Sequence, residues 1–427
     1  MKASRFLVAF AALALLAAAC GGGGSAAPDV CDSDSADADP FGCVTVAAGD
    51  PIKLGTLLVI TGENQSLGLD SQYGAQLAVD YFGDNAFDGV NGTLLGHEIT
   101  LVNEDEGCSA EGGTAGANRL VTDTQIIAVI GTSCSSAALG VADKIFSDRG
   151  IPLVSPSNTG PALTVEGTHQ PFYFRTAHND KLQGAVVADF AYNELPVASA
   201  ATIHDGSPYA EGLANAFAES FQALGGTITD QVSIQTGESD YSSILTDLAT
   251  GSPELLYFPI FVAEGGLITQ QARENGSFQY LAGSDGMFTP DWIAAAGAEN
   301  AEGVYISGPD LTKLGGDAAF YTDQFKPAYI EAYGLPTSVF HAHTYDAVNM
   351  VLAAIESVAI EDGDTLYIPR TALKDALYAT ENFPGLTGNL TCNELGDCQQ
   401  SATIGVVSVA NGAFTDYVFS KTVGLEG

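Results

Sequence analysis

A chain of 427 residues is too long for one ordinary hydrophobic core and suits two domains of about 150 to 200 residues each. Its 14 Lys and Arg against 52 Asp and Glu leave a net charge of −38, which makes nucleic acid and anionic lipid surfaces poor partners. With 46% hydrophobic residues the composition is globular, and the charge reads as a solvated acidic surface.

The N-terminus reads as an address. Lys2 and Arg5 precede an apolar run, Phe6 to Leu16, too short to span a bilayer, and Ala17-Ala18-Ala19 lead to Cys20. This resembles a bacterial lipoprotein signal: residues 1–19 are expected to be removed and Cys20 to carry lipid, so that the anchor alone touches the membrane. Residues 20–50 open Gly-rich and continue through Asp32, Asp34, Asp37 and Asp39, the composition of a flexible, self-repelling tether. These aspartates lack the turn glycine and terminal glutamate of a calcium loop. Without Cys20 six cysteines remain, an even number that implies three disulfides in an exported chain, with fifteen pairings open. Local spacing favours Cys31–Cys43 and Cys392–Cys398, leaving Cys108–Cys134. No cysteine pair has the two-to-four-residue spacing of a zinc site, and no metal or cofactor is expected.

From Pro51 strands and helices alternate. Ile52 to Ile60 reads as a strand, followed by a helix carrying Tyr73, Leu77, Ala78 and Tyr81; His97 to Val102 is a strand and Ala110 to Val121 a helix. The organising unit is Ile126 to Pro161. A β-branched strand ends at Gly131, Thr132 to Ser136 form a small polar loop, and Leu139, Ala142 and Ile145 recur at helical spacing. A second strand, Ile151 to Val154, then meets Ser155 to Pro161. A right-handed parallel crossover of this length puts both polar loops at the carboxyl ends of neighbouring strands, where open α/β sheets bind ligands. Hydroxyls and free N–H groups at a helix start then make an anion site without a cationic side chain. One more strand, Phe172 to Thr176, precedes a crossing near His178 to Asp180.

A second series follows, with strands at Ala200 to Ile203, Thr227 to Ile234, Leu255 to Phe258, Gln279 to Ala282 and Gly303 to Ile306. Helices Asp317 to Tyr333, His341 to Ser357 and Pro369 to Ala379 return to the first lobe, and a hairpin-like tail closes the chain. The fold class is α/β, with two doubly wound, Rossmann-like lobes joined by a three-segment hinge. Lobe one takes residues 51–178 and 309–387, and lobe two 179–308 and 388–427.

Six stretches, running in order between Pro51 and Asp416, resemble the type I periplasmic binding proteins for branched-chain amino acids. They are Cys134-Ser135-Ser136, Ser155 to Pro161, His204 to Tyr209, Gly283 to Gly286, Thr344 to Ala347 and Leu386 to Leu390. The resemblance also supports Cys108–Cys134, and it implies two lobes closing over a solute. It places Ser135 and the backbone at Thr159 on the ligand carboxylate. The Ser157 carbonyl, the Thr159 hydroxyl and Asp285 fall on the ammonium, and Tyr209 and Phe261 cover the side chain. Leu67 and Phe261 stand where leucine-binding relatives place tyrosines, and Asp285 where they place glutamate, so the pocket is more apolar and its acid shorter.

The function expected is a monomeric, lipid-anchored substrate-binding subunit that hands an amino-acid-like solute to ABC permease and ATPase subunits. A ligand-sensing receptor of the same fold, reading a short amide, urea or small carboxylate, is the rival. An enzyme is not expected, because the chain has no nucleophile elbow, phosphate loop or His-Glu-x-x-His motif.

Overall fold

Two sheets, one per lobe, organise residues 27–425, which the computed structural model describes. The expected signal 1–19 and the lipid-attachment residue Cys20 lie outside the described residues.

The first strand, β1 (Cys43–Val46), belongs to a small antiparallel sheet taken up below. Lobe one is then built on β2 (Ile52–Leu58), β3 (Thr93–Leu94), β4 (His97–Asp105), β5 (Ile126–Gly131), β6 (Leu153–Ser155) and β7 (Tyr173–Arg175), in spatial order β3-β4-β2-β5-β6-β7. All neighbours are parallel except the edge pair β3–β4. All residues of β5 are buried, as expected for a central parallel strand covered by helices on both faces.

Lobe two repeats the winding with β8 (Ser199–His204), β9 (Thr227–Ser233), β10 (Leu255–Tyr257), β11 (Tyr280–Gly283) and β12 (Tyr305–Pro309), ordered β9-β8-β10-β11-β12. In both sheets the first strand lies between two later ones, β2 between β4 and β5 and β8 between β9 and β10, the doubly wound order that opens a crevice at the carboxyl ends of the strands.

The chain then re-enters lobe one. Helix His341–Val358 packs on helix Gln65–Tyr81 so closely that a Cβ at Gly74 would lie 2.4 Å from the His341 carbonyl oxygen. Asp70 fixes that contact, accepting from the Phe340 and His341 N–H groups at 2.9 Å each and from the Tyr329 hydroxyl at 3.1 Å. Two further strands, β13 (Ile360–Asp362) and β14 (Thr365–Pro369), pair antiparallel, and β14 also pairs with β1. A short ladder joins β15 (Phe383–Pro384) to β16 (Asn389–Leu390). Finally β17 (Ser401–Ala410) adds antiparallel to β12 and carries β18 (Ala413–Phe414) and β19 (Phe419–Gly424).

Three expectations change. The stretch expected as tether through residue 50 is structured from Asp29 onward. Cys31–Cys43 is a disulfide, Val44 and Val46 are core residues, and the Asp39 carboxylate accepts from the Thr371 N–H at 2.7 Å. Residues 388–398, expected in lobe two, stay with lobe one, where Leu390, Cys392 and Cys398 join its core and the Cys398 N–H donates to the Arg175 carbonyl at 3.0 Å. The third crossing therefore falls just before β17. The helix expected across Leu139, Ala142 and Ile145 is broken: helical Ser135–Ala137 gives way at Leu139 and Gly140, whose φ is +72°, and helix resumes at Asp143–Ser147. Glycine tolerates that conformation without a Cβ clash.

Of the two other disulfides, Cys392–Cys398 is one that spacing favoured, and Cys108–Cys134 is the pair left over, which the resemblance also supported. Among the described residues no helix is long and apolar enough to cross a membrane.

Candidate functional site

Two loops of lobe one, following β5 and β6, are stitched into one buried cradle. The Ser155 hydroxyl donates to the Thr132 carbonyl at 2.7 Å and accepts from the Asn158 N–H at 2.9 Å. Ser157 donates to the Ser133 carbonyl at 3.2 Å, and Ser135 Oγ accepts from the Gly160 N–H at 3.2 Å. A Cβ at Gly160 would sit 3.0 Å from that hydroxyl, so any larger residue there would have to push the serine aside by a few tenths of an ångström.

Arg175, at the end of β7 and fully buried, holds the cradle from behind. It donates to the Asn158 and Gly160 carbonyls at 3.1 and 3.0 Å and to Thr164 Oγ1 at 2.7 Å, and it forms an ion pair with Asp397. Glu106 lies beneath the other loop, accepting from the Cys134 N–H at 3.2 Å, and burial pushes its carboxyl well above the usual range. Because the helix opening at Ser135 is only Ser135–Ala137, its dipole is small, and the cradle's donors are hydroxyls and individual N–H groups.

The opposing wall belongs to lobe two. Asp285 follows β11, and its Oδ1 accepts from Gln183 Nε2 at 2.7 Å and from the Tyr209 hydroxyl at 3.0 Å. Tyr209 also pairs with Ser284 Oγ at 2.6 Å, and its ring stands 5.1 Å from that of Phe261. Asp180 opens helix Asp180–Asp189, with its N–H on the Thr159 carbonyl at 3.0 Å. Both its carboxylate oxygens are buried beside the equally buried Thr159 hydroxyl, and neither group has a partner with full hydrogen-bond geometry, although the two lie close enough for the hydroxyl to favour the ionised carboxylate.

Carboxylate oxygens of Asp180 and Asp285 and a ring nitrogen of His178 lie within 4.8 Å of one another. Burial and then the neighbouring Asp285 charge push Asp180 well above the usual carboxylate range; burial raises Asp285 to about 6 and lowers His178 to about 4.

The structure therefore brings Ser135, Ser157 and Thr159 together on one wall, and Tyr209, Phe261 and Asp285 on the other. Leu67 shares a small interlobe cavity with Phe261, Asp285, Ser66, Thr289 and Ser338. At the rim, the Ser66 hydroxyl donates to Asp291 across the lobes. Sequence reasoning took Asp180 only as a helix opener and did not single out Gln183, Arg175 or Glu106. The spacing Asp180–Gln183 was a usable signal, because residues three apart share a helix face and this helix is otherwise apolar where buried.

Two doubly wound lobes whose strand-end loops face each other across a hinge define a cleft-type solute-binding protein. The chain belongs to the periplasmic binding protein family, whose profile matches residues 51–413. Within it the chain groups with the type I branched-chain amino-acid-binding proteins. It is 30% identical over 366 residues to a Leu/Ile/Val-binding protein homolog of Brucella melitensis biotype 1, covering 86% of this chain and 93% of that protein. The solved leucine-binding protein LivK of Thermotoga maritima superposes with a TM-score of 0.75 at 27% identity, covering 86% of this chain and 98% of that one. LivJ of Streptococcus pneumoniae, solved in complex with isoleucine, gives 0.74 at 26% identity, covering 88% and 100%. These relatives are solute-binding proteins rather than enzymes.

Proposed function

We propose that the protein captures an aliphatic α-amino acid between its lobes and delivers it to the permease and ATPase subunits of an ABC importer. The observation that carries this reading is a pair of opposed walls. Uncharged donors at the Ser135 hydroxyl and the Thr159 backbone N–H suit a carboxylate, and two buried acids, Asp180 and Asp285, with the Thr159 hydroxyl suit an ammonium. Leu67 and Phe261 offer the side chain an apolar surface. The relatives named for Leu, Ile and Val binding support the same class. In this reading the body acts as a monomer, held at the outer face of the membrane by lipid on Cys20.

A thermal-shift screen of amino acids, amides and small carboxylates tests it. An aliphatic L-amino acid at 100 times its dissociation constant should stabilise the protein by about 2.7 kcal/mol. Stabilisation by amides or simple carboxylates alone rejects the amino-acid class.

Closure itself has a separate handle. Ser66→Ala removes the Ser66–Asp291 bond while leaving in place every residue assigned to the ligand's carboxylate and ammonium. Ligand should then dissociate roughly fivefold faster, the effect of losing about 1 kcal/mol from the closed state. An unchanged off-rate in stopped-flow measurements removes that bond from the closure energetics.

A further inference from the structure

Asp180 and Asp285 belong to the same lobe, so their proximity does not wait for closure. Gln183, one turn along the helix from Asp180, ties the two positions by donating to Asp285 at 2.7 Å and to Ser307 Oγ at 3.0 Å. Every charged or titratable group facing the pair is accounted for among the described residues. The Arg175 guanidinium is engaged by Asp397, two backbone carbonyls and Thr164. His178 has one ring nitrogen on Gln183 Oε1 at 2.5 Å and is kept neutral by burial. Tyr209 and Tyr257 are buried phenols held neutral by the same desolvation. No cation is left over for two carboxylates, and like charges this close in a buried site do not both ionise.

We propose that the Asp180–Asp285 pair holds one proton that a ligand ammonium displaces, and that the pair with its proton retained accepts a second ligand class, the α-hydroxy analogues of the same amino acids. This rests on the amino-acid reading above. When the amine binds, a carboxyl O–H bond breaks, the proton leaves to buffer, and the ligand's N–H donors take its place between two carboxylates. When the hydroxy acid binds, nothing leaves; the pair offers one O–H donor and its acceptor oxygens to the ligand hydroxyl. The two classes then respond to pH in opposite directions. Protons compete with the amine, so its affinity rises with pH, by up to about tenfold per unit where the free pair is fully protonated and about threefold per unit where it is half-protonated, while the hydroxy acid weakens as the proton is lost.

The test pairs L-leucine with 2-hydroxy-4-methylpentanoate in calorimetry between about pH 5 and pH 7, in two buffers of different ionisation enthalpy. Leucine should release up to one proton, most at the acid end, and bind more tightly as pH rises; the hydroxy acid should release none, taking up a fraction of a proton toward the alkaline end, where it binds less tightly. Asp180→Asn and, separately, Asp285→Asn should each abolish the leucine proton release, with thermal melts confirming that the variants fold. Without any ligand, the infrared difference between wild type and Asp180→Asn at about pH 6 should contain a protonated-carboxyl band. Leucine binding with no proton release, or absence of that band, overturns the exchange. If neither compound binds at any pH, the amino-acid reading falls and the exchange falls with it, whereas pH-independent leucine binding sinks the exchange alone.

Discussion

Arg175→Ala should destabilise the fold by about 3 to 5 kcal/mol, because it strands the buried Asp397 carboxylate without its partner. The same substitution should remove ligand binding even where the protein remains folded. Arg175 is the shared support of the Asn158 and Gly160 carbonyls, so the loop that presents Thr159 loses its backing. Denaturant unfolding and calorimetry read the two effects separately. Replacing both members of the pair, Arg175→Met with Asp397→Leu, should restore most of the stability, since apolar replacements of buried ion pairs are often neutral. It should not restore binding, because a thioether cannot donate to two carbonyls. Recovery of both together would mean that the guanidinium serves only the ion pair.

The double variant Ser135→Ala, Thr159→Val carries the other large effect. Two charge-assisted bonds to a ligand carboxylate and ammonium, at about 1.5 to 3 kcal/mol each, predict an affinity loss of more than about a hundredfold. Stability should change far less. The Thr159 hydroxyl has only its loose approach to Asp180 to lose within the protein, and Ser135 gives up only its bond from the Gly160 N–H. Because valine is close in shape to threonine, packing against Asp180 is kept while the polar contact is lost. Unchanged affinity in titration calorimetry would take both hydroxyls out of the site.

Much of the architecture was legible in the chain because its central strands carry strong local signals. Ile126 to Ile130 is β-branched and buried throughout, and the polar loops after β5 and β6 stand where a doubly wound sheet must put them. What escaped was set by partners distant in sequence. Cys43–Val46 looked like the end of a charged linker because the strand it pairs with, Thr365–Pro369, is some three hundred residues away. The return of residues 388–398 to lobe one depends on Arg175, which pairs with Asp397 across the fold. The break at Gly140 was hidden by apolar residues that kept helical spacing through it.

The site divides along the same line. Ser157, Thr159 and Phe261 sit in loops that follow strands, and Ser135, Tyr209 and Asp285 stand in the first turn of the helical segments after such loops, so a strand–loop–helix reading finds them. Asp180 and Gln183 sit within the first turn of a helix, where a polar residue is ordinarily a cap or a solvated position. Only the burial of both unpartnered Asp180 oxygens shows otherwise. Arg175 ends a strand of three buried residues, and nothing local distinguishes an arginine that supports a ligand loop from one that simply closes an ion pair.

The attachment of β1 to β14 has a mechanical consequence. The Cys31–Cys43 bond, the Asp39–Thr371 contacts and the β1–β14 ladder all fasten the entering chain to lobe one. Any pull on the segment before Asp29 is thus delivered to one half of the clamshell and never crosses its mouth. That half becomes the stator and the other the jaw, so a pull arriving along the entering chain would neither pry the bite open nor hold it shut.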